Sequence, residues 1–232
     1  MRIGIFTDAH YSSQEVTCKK RYNSRSLAKI EQAYDAFASA RCELVISLGD
    51  LIDKEGDHEK EIRNLCEVAR IIEKAQIPTV AVMGNHDAFC FTEDEFYEIL
   101  GAPCKPRTVT TDGKQLLFAD ACYYKDGTHY APGGTEWQNT CLPHVGALTE
   151  ALALAEGDCY LFLHQNVDPS IRPDHRICNA EEVRTVIEQS GRVRAVFQGH
   201  YHPGCRSEHN GIRYVTFPAM CENESAFSIL EL

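Results

Sequence analysis

The sequence predicts an α/β fold whose first half contains a parallel β-sheet. Three short apolar segments alternate with two amphipathic segments of helical spacing within the first hundred residues. This alternation is typical of parallel strands joined by crossover helices. Each apolar segment ends in polar residues. Because ligands of such sheets bind outside the carboxyl ends of the strands, the same pattern predicts where a functional site lies.

The first half of the chain contains three predicted strands and three predicted helices. Apolar runs predict the strands, and apolar residues three or four apart predict the helices. In chain order these elements are a strand at 2–7, a helix at 27–37 that Ser24 or Ser26 caps, a strand at 43–48, a helix at 58–76, a strand at 79–83 and a helix at 92–100.

The second half of the chain has a different character. An Asp112-Gly113 turn between two short runs predicts a β-hairpin, and the long aromatic and polar segment 120–143 predicts a functional or mobile loop. The remaining elements are a helix at 144–156, a strand at 159–163, a helix at 179–190, a strand at 194–197 and closing strands at 211–217 and 226–231. With no repeat or linker in the sequence, residues 1–232 are expected to form a single domain.

Composition excludes several functional classes. The 232 residues carry a net charge of −11, which argues against a nucleic-acid polymer as partner. No apolar run reaches the roughly 18 residues of a membrane span, and the N-terminus lacks the pattern of a signal peptide. The 11 cysteines form no C-x-x-C pair. We therefore expect reduced thiols rather than a structural zinc site, in a cytoplasmic protein.

Five predicted strands end in side chains that bind metals. The candidate ligands are Asp8, His10, Asp50, Asn85, His164, His200 and His202. A single histidine is more often a core or surface residue than a ligand, but five such strand ends in one chain favour a site. Oxygen and imidazole donors without thiolate suit Mn, Fe or Zn. The set exceeds what one ion needs, so we predict two divalent ions about 3.5–4 Å apart with a bridging group.

The order of these motifs resembles a known superfamily. The motifs are D-x-H at 8–10, G-D-x-x-D at 49–53, G-N-H-D at 84–87, a histidine at 164 and G-H-x-H at 199–202. Together they resemble the calcineurin-like metallophosphoesterase superfamily over most of the chain. The resemblance implies a four-layer α-β-β-α metallophosphoesterase sandwich, a dinuclear centre between the sheet ends, and a metal-dependent phosphoric ester hydrolase.

The resemblance also implies a role for each motif residue. The implied ligand sets are Asp8, His10 and His202 for the first ion, Asn85, His164 and His200 for the second, and Asp50 as the bridge. A bridging water or hydroxide would be the nucleophile, because bound metal lowers its pKa. The catalytic residue His86 would contact the phosphoryl oxygens or protonate the leaving group. Asp53 and Asp87 would orient His86 or the ligands.

A second similarity concerns the substrate. The basic and aromatic run from Tyr11 to Leu27 is similar to the manganese-dependent ADP-ribose/CDP-alcohol diphosphatases. We expect a phosphodiester, pyrophosphate or phosphomonoester bond in a small, nucleotide-like molecule. Arg21 or Arg25 is a candidate for holding a phosphate, because a helix N-terminus does not favour a cation without such a reason. Two solvated arginines are the alternative interpretation.

Two other functions compete with a small-molecule phosphoesterase. A nuclease or protein phosphatase of the same superfamily is one, and the net charge of −11 and the lack of a basic patch argue against a nuclease. A non-catalytic binding scaffold, as in the retromer subunit of this fold, is the other. The presence of His86 beside a full ligand set argues against the scaffold. A panel of substrates assayed with Mn distinguishes the three.

Overall fold

The computed structural model describes residues 1–134, 136–224 and 226–232. Ten strands lie within these residues: β1 (Arg2–Phe6), β2 (Leu44–Ser47), β3 (Thr79–Ala81), β4 (Val109–Thr111), β5 (Lys114–Phe118), β6 (Asp158–Phe162), β7 (Val193–Gln198), β8 (Cys205–His209), β9 (Ile212–Thr216) and β10 (Phe227–Glu231). Six α-helices accompany them: α1 (Ser26–Ser39), α2 (His58–Ala75), α3 (Asn85–Cys90), α4 (Glu93–Leu100), α5 (Val145–Leu154) and α6 (Ala180–Ser190).

The strands form two sheets. The first has the order β10-β1-β2-β3, and the second has the order β4-β5-β6-β7-β9-β8. Strands β1, β2 and β3 are parallel to one another, as the sequence predicted, and β10 runs antiparallel to β1. In the second sheet β5, β6, β7 and β9 are parallel. The carboxyl ends of the central strands in each sheet therefore lie together.

Three apolar clusters separate four layers. The middle cluster joins the facing sides of the two sheets, with Ile5 and Ile46 from one and Phe162 and Phe197 from the other. Helices α1 and α2 pack on the outer side of the first sheet. Helices α5 and α6 pack on the outer side of the second. Because the central strands are covered on both faces, they are almost continuously apolar, and the predicted four-layer α-β-β-α arrangement is confirmed.

Three elements differ from the sequence-based expectations. Helix α1 follows a 3-10 turn at Asn23–Arg25, and neither Ser24 nor Ser26 caps it by a side-chain hydrogen bond. The short helix α3, which follows β3, was not predicted. Strand β8 was missed because it lies at a sheet edge and alternates half-buried with exposed residues, so it lacks an apolar run.

The 120–143 segment is mainly loop, as predicted. One 3-10 turn at Trp137–Asn139 interrupts it, and bridges from Tyr123 to His129 and to Cys141 tie its two ends together. Thr135 falls within this segment and lies outside the described residues.

Candidate metal centre

The polar loops after β1 and β2 are joined by backbone hydrogen bonds. The N–H of Asp8 donates to the carbonyl of Gly49 at 3.0 Å. The N–H of His10 donates to the carbonyl of Asp50 at 2.8 Å. These bonds place the D-x-H and G-D motifs side by side, so residues forty apart in sequence share one site.

The loops after β6 and β7 are joined in the same way and reach across to the first sheet. The N–H of Gly199 donates to the carbonyl of His164 at 3.0 Å. The N–H of His200 donates to Asp8 Oδ2 at 3.0 Å. The second contact connects the strand ends of the two sheets, so all five predicted clusters meet in one place.

Four of the predicted ligand residues have left-handed backbone conformations. Their φ angles are +52° at Asp8, +45° at His10, +53° at Asp50 and +66° at His200. Residues with a Cβ pay about 1–3 kcal/mol for such sparsely populated backbone regions, and these conformations cluster at functional sites. The loops are therefore shaped to point these side chains inward rather than to minimise local strain.

One group of donor atoms surrounds His10. Its Nε2 lies 3.7 Å from Asp8 Oδ1, 3.5 Å from Asp50 Oδ2 and 3.2 Å from His202 Nε2. His202 Nε2 is in turn 3.4 Å from Asp8 Oδ1. Two ligands on one ion at about 2.1 Å each are separated by about 3.0–3.4 Å in octahedral or tetrahedral geometry. The spacing in this group is close to that range.

A second group surrounds His164. Its Nε2 lies 3.3 Å from Asp50 Oδ2 and 3.3 Å from Asn85 Oδ1. His200 also offers a ring nitrogen within 4.8 Å of the donor atoms of Asp50 and His164. Asp50 Oδ2 thus belongs to both groups, 3.5 Å from the His10 nitrogen and 3.3 Å from the His164 nitrogen.

The donor set fits divalent cations. Asp8 Oδ1 is fully buried and has no hydrogen-bond partner among the described residues, an arrangement that is costly for a carboxylate unless a cation faces it. Burial lowers the pKa of His10 to about 4 and holds the pKa of His200 well below its usual value. Both rings are therefore neutral at pH 7, which is the form that binds metals.

The pKa of His164 is raised, unlike the pKa values of His10 and His200. Burial alone would lower its pKa, but the adjacent Asp50 carboxylate raises it to about 9. Its Nδ1 lies 2.7 Å from the carbonyl of Leu48 and donates a hydrogen bond to it, so Nε2 faces the donor group. A proton or a metal cation at Nε2 can balance the charge of Asp50.

Hydrogen bonds and close packing hold the two carboxylates in place. Asp8 Oδ2 accepts from Thr7 Oγ1 at 2.7 Å, and Asp50 Oδ1 accepts from the N–H of His86 at 2.8 Å. Each carboxylate therefore keeps its other oxygen for the cluster. A Cβ atom at Gly84 would lie 2.1 Å from Asp50 Oδ1, so this position accepts only glycine while the carboxylate keeps its place.

His86 is hydrogen-bonded to Asp53, and its ring also lies beside the first donor group. A ring nitrogen of His86 is within 4.8 Å of donor atoms of His10 and Asp50, and the ring centroids of His86 and His10 are 4.5 Å apart. His86 Nδ1 lies 2.7 Å from Asp53 Oδ1, and the His86 side chain is 22% exposed. Burial alone would raise the pKa of Asp53, but the hydrogen bond and charge of His86 lower it below its usual value. Asn23 Nδ2 donates to the other oxygen of Asp53 at 3.0 Å. The imidazole is thus oriented with Nε2 away from Asp53.

Asp87 connects two loops of the site and belongs to neither donor group. Its Oδ1 accepts from the N–H groups of Leu51 and Ile52 at 2.9 and 3.2 Å, and its Oδ2 accepts from the N–H of Gly84 at 3.0 Å. The carboxylate therefore ties the loop after β2 to the loop after β3. Asp50 lies on the first of these loops, and Asn85 follows the second as the first residue of α3.

Sequence reasoning missed two residues next to the first donor group. Glu222 Oε1 accepts from His202 Nδ1 at 2.5 Å, which orients that ring, and Lys20 pairs with the same glutamate at 2.6 Å. The thiol of Cys221 lies within 4.8 Å of donor atoms of His10 and His202. Burial raises the pKa of Cys221, so it remains a thiol. Neither residue belongs to a spaced motif, so the sequence carried no signal for them.

A cavity of about 430 Å³ opens onto the cluster. Asp50, Asn85, His86, His200 and His202 line its floor, and the walls are formed mainly by Lys20, Arg21, Trp137, Arg172, His175 and Tyr201. Trp137 packs edge-on against His200, with ring centroids 4.8 Å apart. The 120–143 loop therefore supplies one wall of the site.

The structure separates the two candidate arginines. Arg21 lines the cavity, and its Nη1 lies 3.6 Å from Asp53 Oδ2. Arg25 lies instead over the ring of Tyr22, 4.8 Å from its centroid, and lines a different cavity with Lys29. Among the two candidates, Arg21 therefore lies on the wall of the metal cavity and Arg25 lies outside it.

No helix among the described residues combines the length and apolar character that a bilayer span requires.

Two relatives match most of this chain. The chain is 24% identical to a probable cyclic nucleotide phosphodiesterase of Psychrobacter arcticus, and the match covers 93% of this chain and 78% of the relative. It is 23% identical to a similarly named protein of Fibrobacter succinogenes, over 87% of this chain and 73% of that protein.

A solved structure and a family match complete the comparison. A dimetal phosphatase from Danio rerio superposes with a TM-score of 0.86 over 100% of this chain and 92% of its own, at 18% identity, which shows a shared fold. Residues 1–204 match the calcineurin-like phosphoesterase family. The chain therefore belongs to the calcineurin-like phosphoesterase family and is a metal-dependent phosphoesterase.

Proposed function

We propose that this protein hydrolyses a phosphodiester or pyrophosphate bond in a small, nucleotide-like molecule at a pair of divalent ions. The proposed ligands are Asp8, His10, Asp50, Asn85, His164, His200 and His202. The observation that carries the proposal is the position of Asp50 Oδ2, which lies 3.5 Å from His10 Nε2 and 3.3 Å from His164 Nε2. A carboxylate oxygen shared by two donor groups suits a bridging ligand.

Mn, Fe and Zn all suit this donor set, because it combines carboxylate, amide and imidazole groups. When bound, such a pair of ions supplies Lewis acidity and a water of lowered pKa. The protein contributes the fixed geometry: buried carboxylates with one oxygen held by hydrogen bonds, and imidazoles oriented by Leu48 and Glu222. Hydrogen bonds of this kind set ligand orientation and affinity.

His86 is proposed as the residue that protonates the leaving oxygen. Asp53 accepts a hydrogen bond from Nδ1, so the proton available to the substrate is the one on Nε2. The carboxylate also keeps the ring in one orientation. His86 lies at the floor of the cavity and is partly exposed, which gives a substrate access to it.

Charge and relatives support a nucleotide-like substrate. The protein has a net charge of −11, which disfavours capture of a long polyanion. Within the cavity, however, Lys20, Arg21 and Arg172 contribute cationic groups, which suit a small phosphate-bearing ligand. The names of both relatives refer to cyclic nucleotides, which agrees with a phosphodiester of this size.

Removal of metal is expected to abolish hydrolysis and to lower the melting temperature. EDTA treatment should do both, and added Mn should restore both, because the ions bind the folded donor set and not the unfolded chain. A ligand present at 100 times its Kd stabilises a protein by about 2.7 kcal/mol. Calorimetry and elemental analysis of the same samples provide the measurement. Full activity in a metal-free sample would contradict the proposal.

Replacing Arg21 by alanine is expected to raise KM for a dinucleoside diphosphate about tenfold, the loss of one charge-assisted contact. The KM for bis-p-nitrophenyl phosphate should change little, because that substrate has no second phosphate. Arg25→Ala is the matched control and should leave both KM values unchanged.

The outcomes separate two roles of Arg21. An equal decrease in kcat on both substrates, with no change in KM, would show that Arg21 acts only through Asp53.

Single-stranded DNA and a phosphopeptide belong in the same assay. Cleavage of either polymer with a higher kcat/KM than the small substrates would refute the proposed substrate class.

A further inference from the structure

A second cavity of about 440 Å³ adjoins the metal cavity. Four side chains that line it are Lys54, Phe89, Tyr130 and Trp137, and we call this cavity the aromatic pocket. Asn85, His86 and Trp137 line both cavities. The two spaces are therefore neighbouring compartments, and the residue proposed to protonate the leaving oxygen lies at their boundary.

The wall of the aromatic pocket is held by specific contacts. The N–H of Gly133 donates to the carbonyl of Phe89 at 3.0 Å, and Tyr130 Oη donates to the carbonyl of Gly134 at 2.7 Å. A Cβ atom at Gly134 would lie 2.6 Å from the Tyr130 ring. The Tyr130 ring thus packs against the backbone of Gly134. Residues 130–134 therefore form a well-packed wall of the pocket.

The lining combines aromatic rings with one cation. The Nζ atom of Lys54 lies 4.9 Å from the centroid of the Phe89 ring. Lys54 is exposed, and no carboxylate among the described residues lies within 4.0 Å of its Nζ. Phe89 and Trp137 are only half-buried, so their rings have surface available to a ligand. Aromatic rings stack on planar groups, and an unpaired ammonium group attracts an anion.

We infer that the aromatic pocket binds the leaving group of the substrate, a planar aromatic ring that carries its own phosphate. The inference rests on the proposed function, since it uses the proton of His86 to locate the departing half. That half must remain next to His86 as the bond to phosphorus breaks. The metal cavity holds the phosphoryl group that is retained.

The pocket contains the only tryptophan of the sequence, Trp137, so ligand binding can be followed by its fluorescence. Adenosine 5′-monophosphate is the probe. Adenosine lacks its phosphate, and ribose 5-phosphate lacks its aromatic base. Titrations use the Mn-loaded protein and are repeated after EDTA treatment. We expect saturable quenching by adenosine monophosphate in both samples, about tenfold weaker binding of adenosine, and no quenching by ribose 5-phosphate.

Variants of exposed or half-buried residues test the two contacts separately. Lys54→Ala should raise the Kd for adenosine monophosphate about tenfold and leave the Kd for adenosine unchanged, whereas Lys54→Arg should retain the affinity. Phe89→Leu keeps the apolar volume and should raise the Kd for both adenosine monophosphate and adenosine. Lys125→Ala, an exposed lysine that lines neither cavity, is the control and should behave like the unmodified protein.

The inference is overturned if Lys54→Ala binds adenosine monophosphate with the affinity of the unmodified protein. Loss of quenching after EDTA treatment would also overturn it, because the phosphate would then bind at the metals. Binding is measured without turnover. A protein that binds as expected but hydrolyses no nucleotide would refute the proposed function while leaving the aromatic pocket in place.

Discussion

The Asp50→Ala variant is expected to lose both metal ions and to hydrolyse substrate at the background rate. In the unmodified protein, Asp50 Oδ2 lies 3.3–3.5 Å from one nitrogen in each donor group. No other carboxylate oxygen among the described residues is shared in this way. Removing it leaves two groups of mainly neutral donors without their common negative charge. Neither ion then has enough charge compensation to bind tightly.

Asn85→Ala is the control that separates a shared ligand from an ordinary one. Asn85 Oδ1 lies 3.3 Å from His164 Nε2 and belongs only to the second group, so this variant should lose mainly one ion. Elemental analysis after dialysis measures the metal content, and circular dichroism checks that both variants are folded. An Asp50→Ala protein that retains two ions per chain would refute the bridging assignment.

Replacing His86 by alanine is expected to lower kcat by about 10²–10⁴-fold, the usual effect of losing a general acid, while both ions stay bound. The imidazole is hydrogen-bonded through Nδ1 to Asp53, which is not one of the proposed ligands. The bond that holds Asp50 at this position comes from the backbone N–H of residue 86, which the substitution preserves. The metal content should therefore remain unchanged.

Asp53→Asn provides the matched comparison. This change keeps the shape of the side chain but removes the carboxylate that accepts from His86 Nδ1 and neutralises the protonated ring. A smaller decrease in kcat with unchanged metal content is expected. A substrate with an activated leaving group, such as p-nitrophenol, should depend less on His86, because little protonation is needed. If His86→Ala loses an ion, His86 is a ligand and its proposed role is wrong.

The positions of the strand ends were accessible from the sequence. Buried parallel strands are apolar throughout, so the polar residue that ends each one is conspicuous. Asp8, Asp50, Asn85, His164 and His200 each follow such a strand, and the carboxyl ends of parallel strands must lie at one edge. The motif order also identified the family, because its spacing extends over most of the chain.

Short-range expectations failed where backbone geometry rather than residue type decided the outcome. Ser24 and Ser26 are good caps in isolation, yet a 3-10 turn occupies Asn23–Arg25 and neither serine caps α1 through its side chain. Arg21, which precedes this turn, lines the metal cavity, whereas Arg25, which belongs to the turn, lines a different one. Two arginines four apart are equivalent in sequence and distinct only in the folded chain.

Tertiary structure alone brought together the residues that surround the motifs. Glu222, near the C-terminus, bonds to His202. Trp137, in the 120–143 loop, lines the same pocket as Lys54 and Phe89, which precede it by more than forty residues. No spacing rule connects such residues, because their approach depends on how whole layers pack. The sequence by itself determined the fold, the family and the strand-end donors. The packing of loops against those strands decided which side chains orient them and where a substrate can lie.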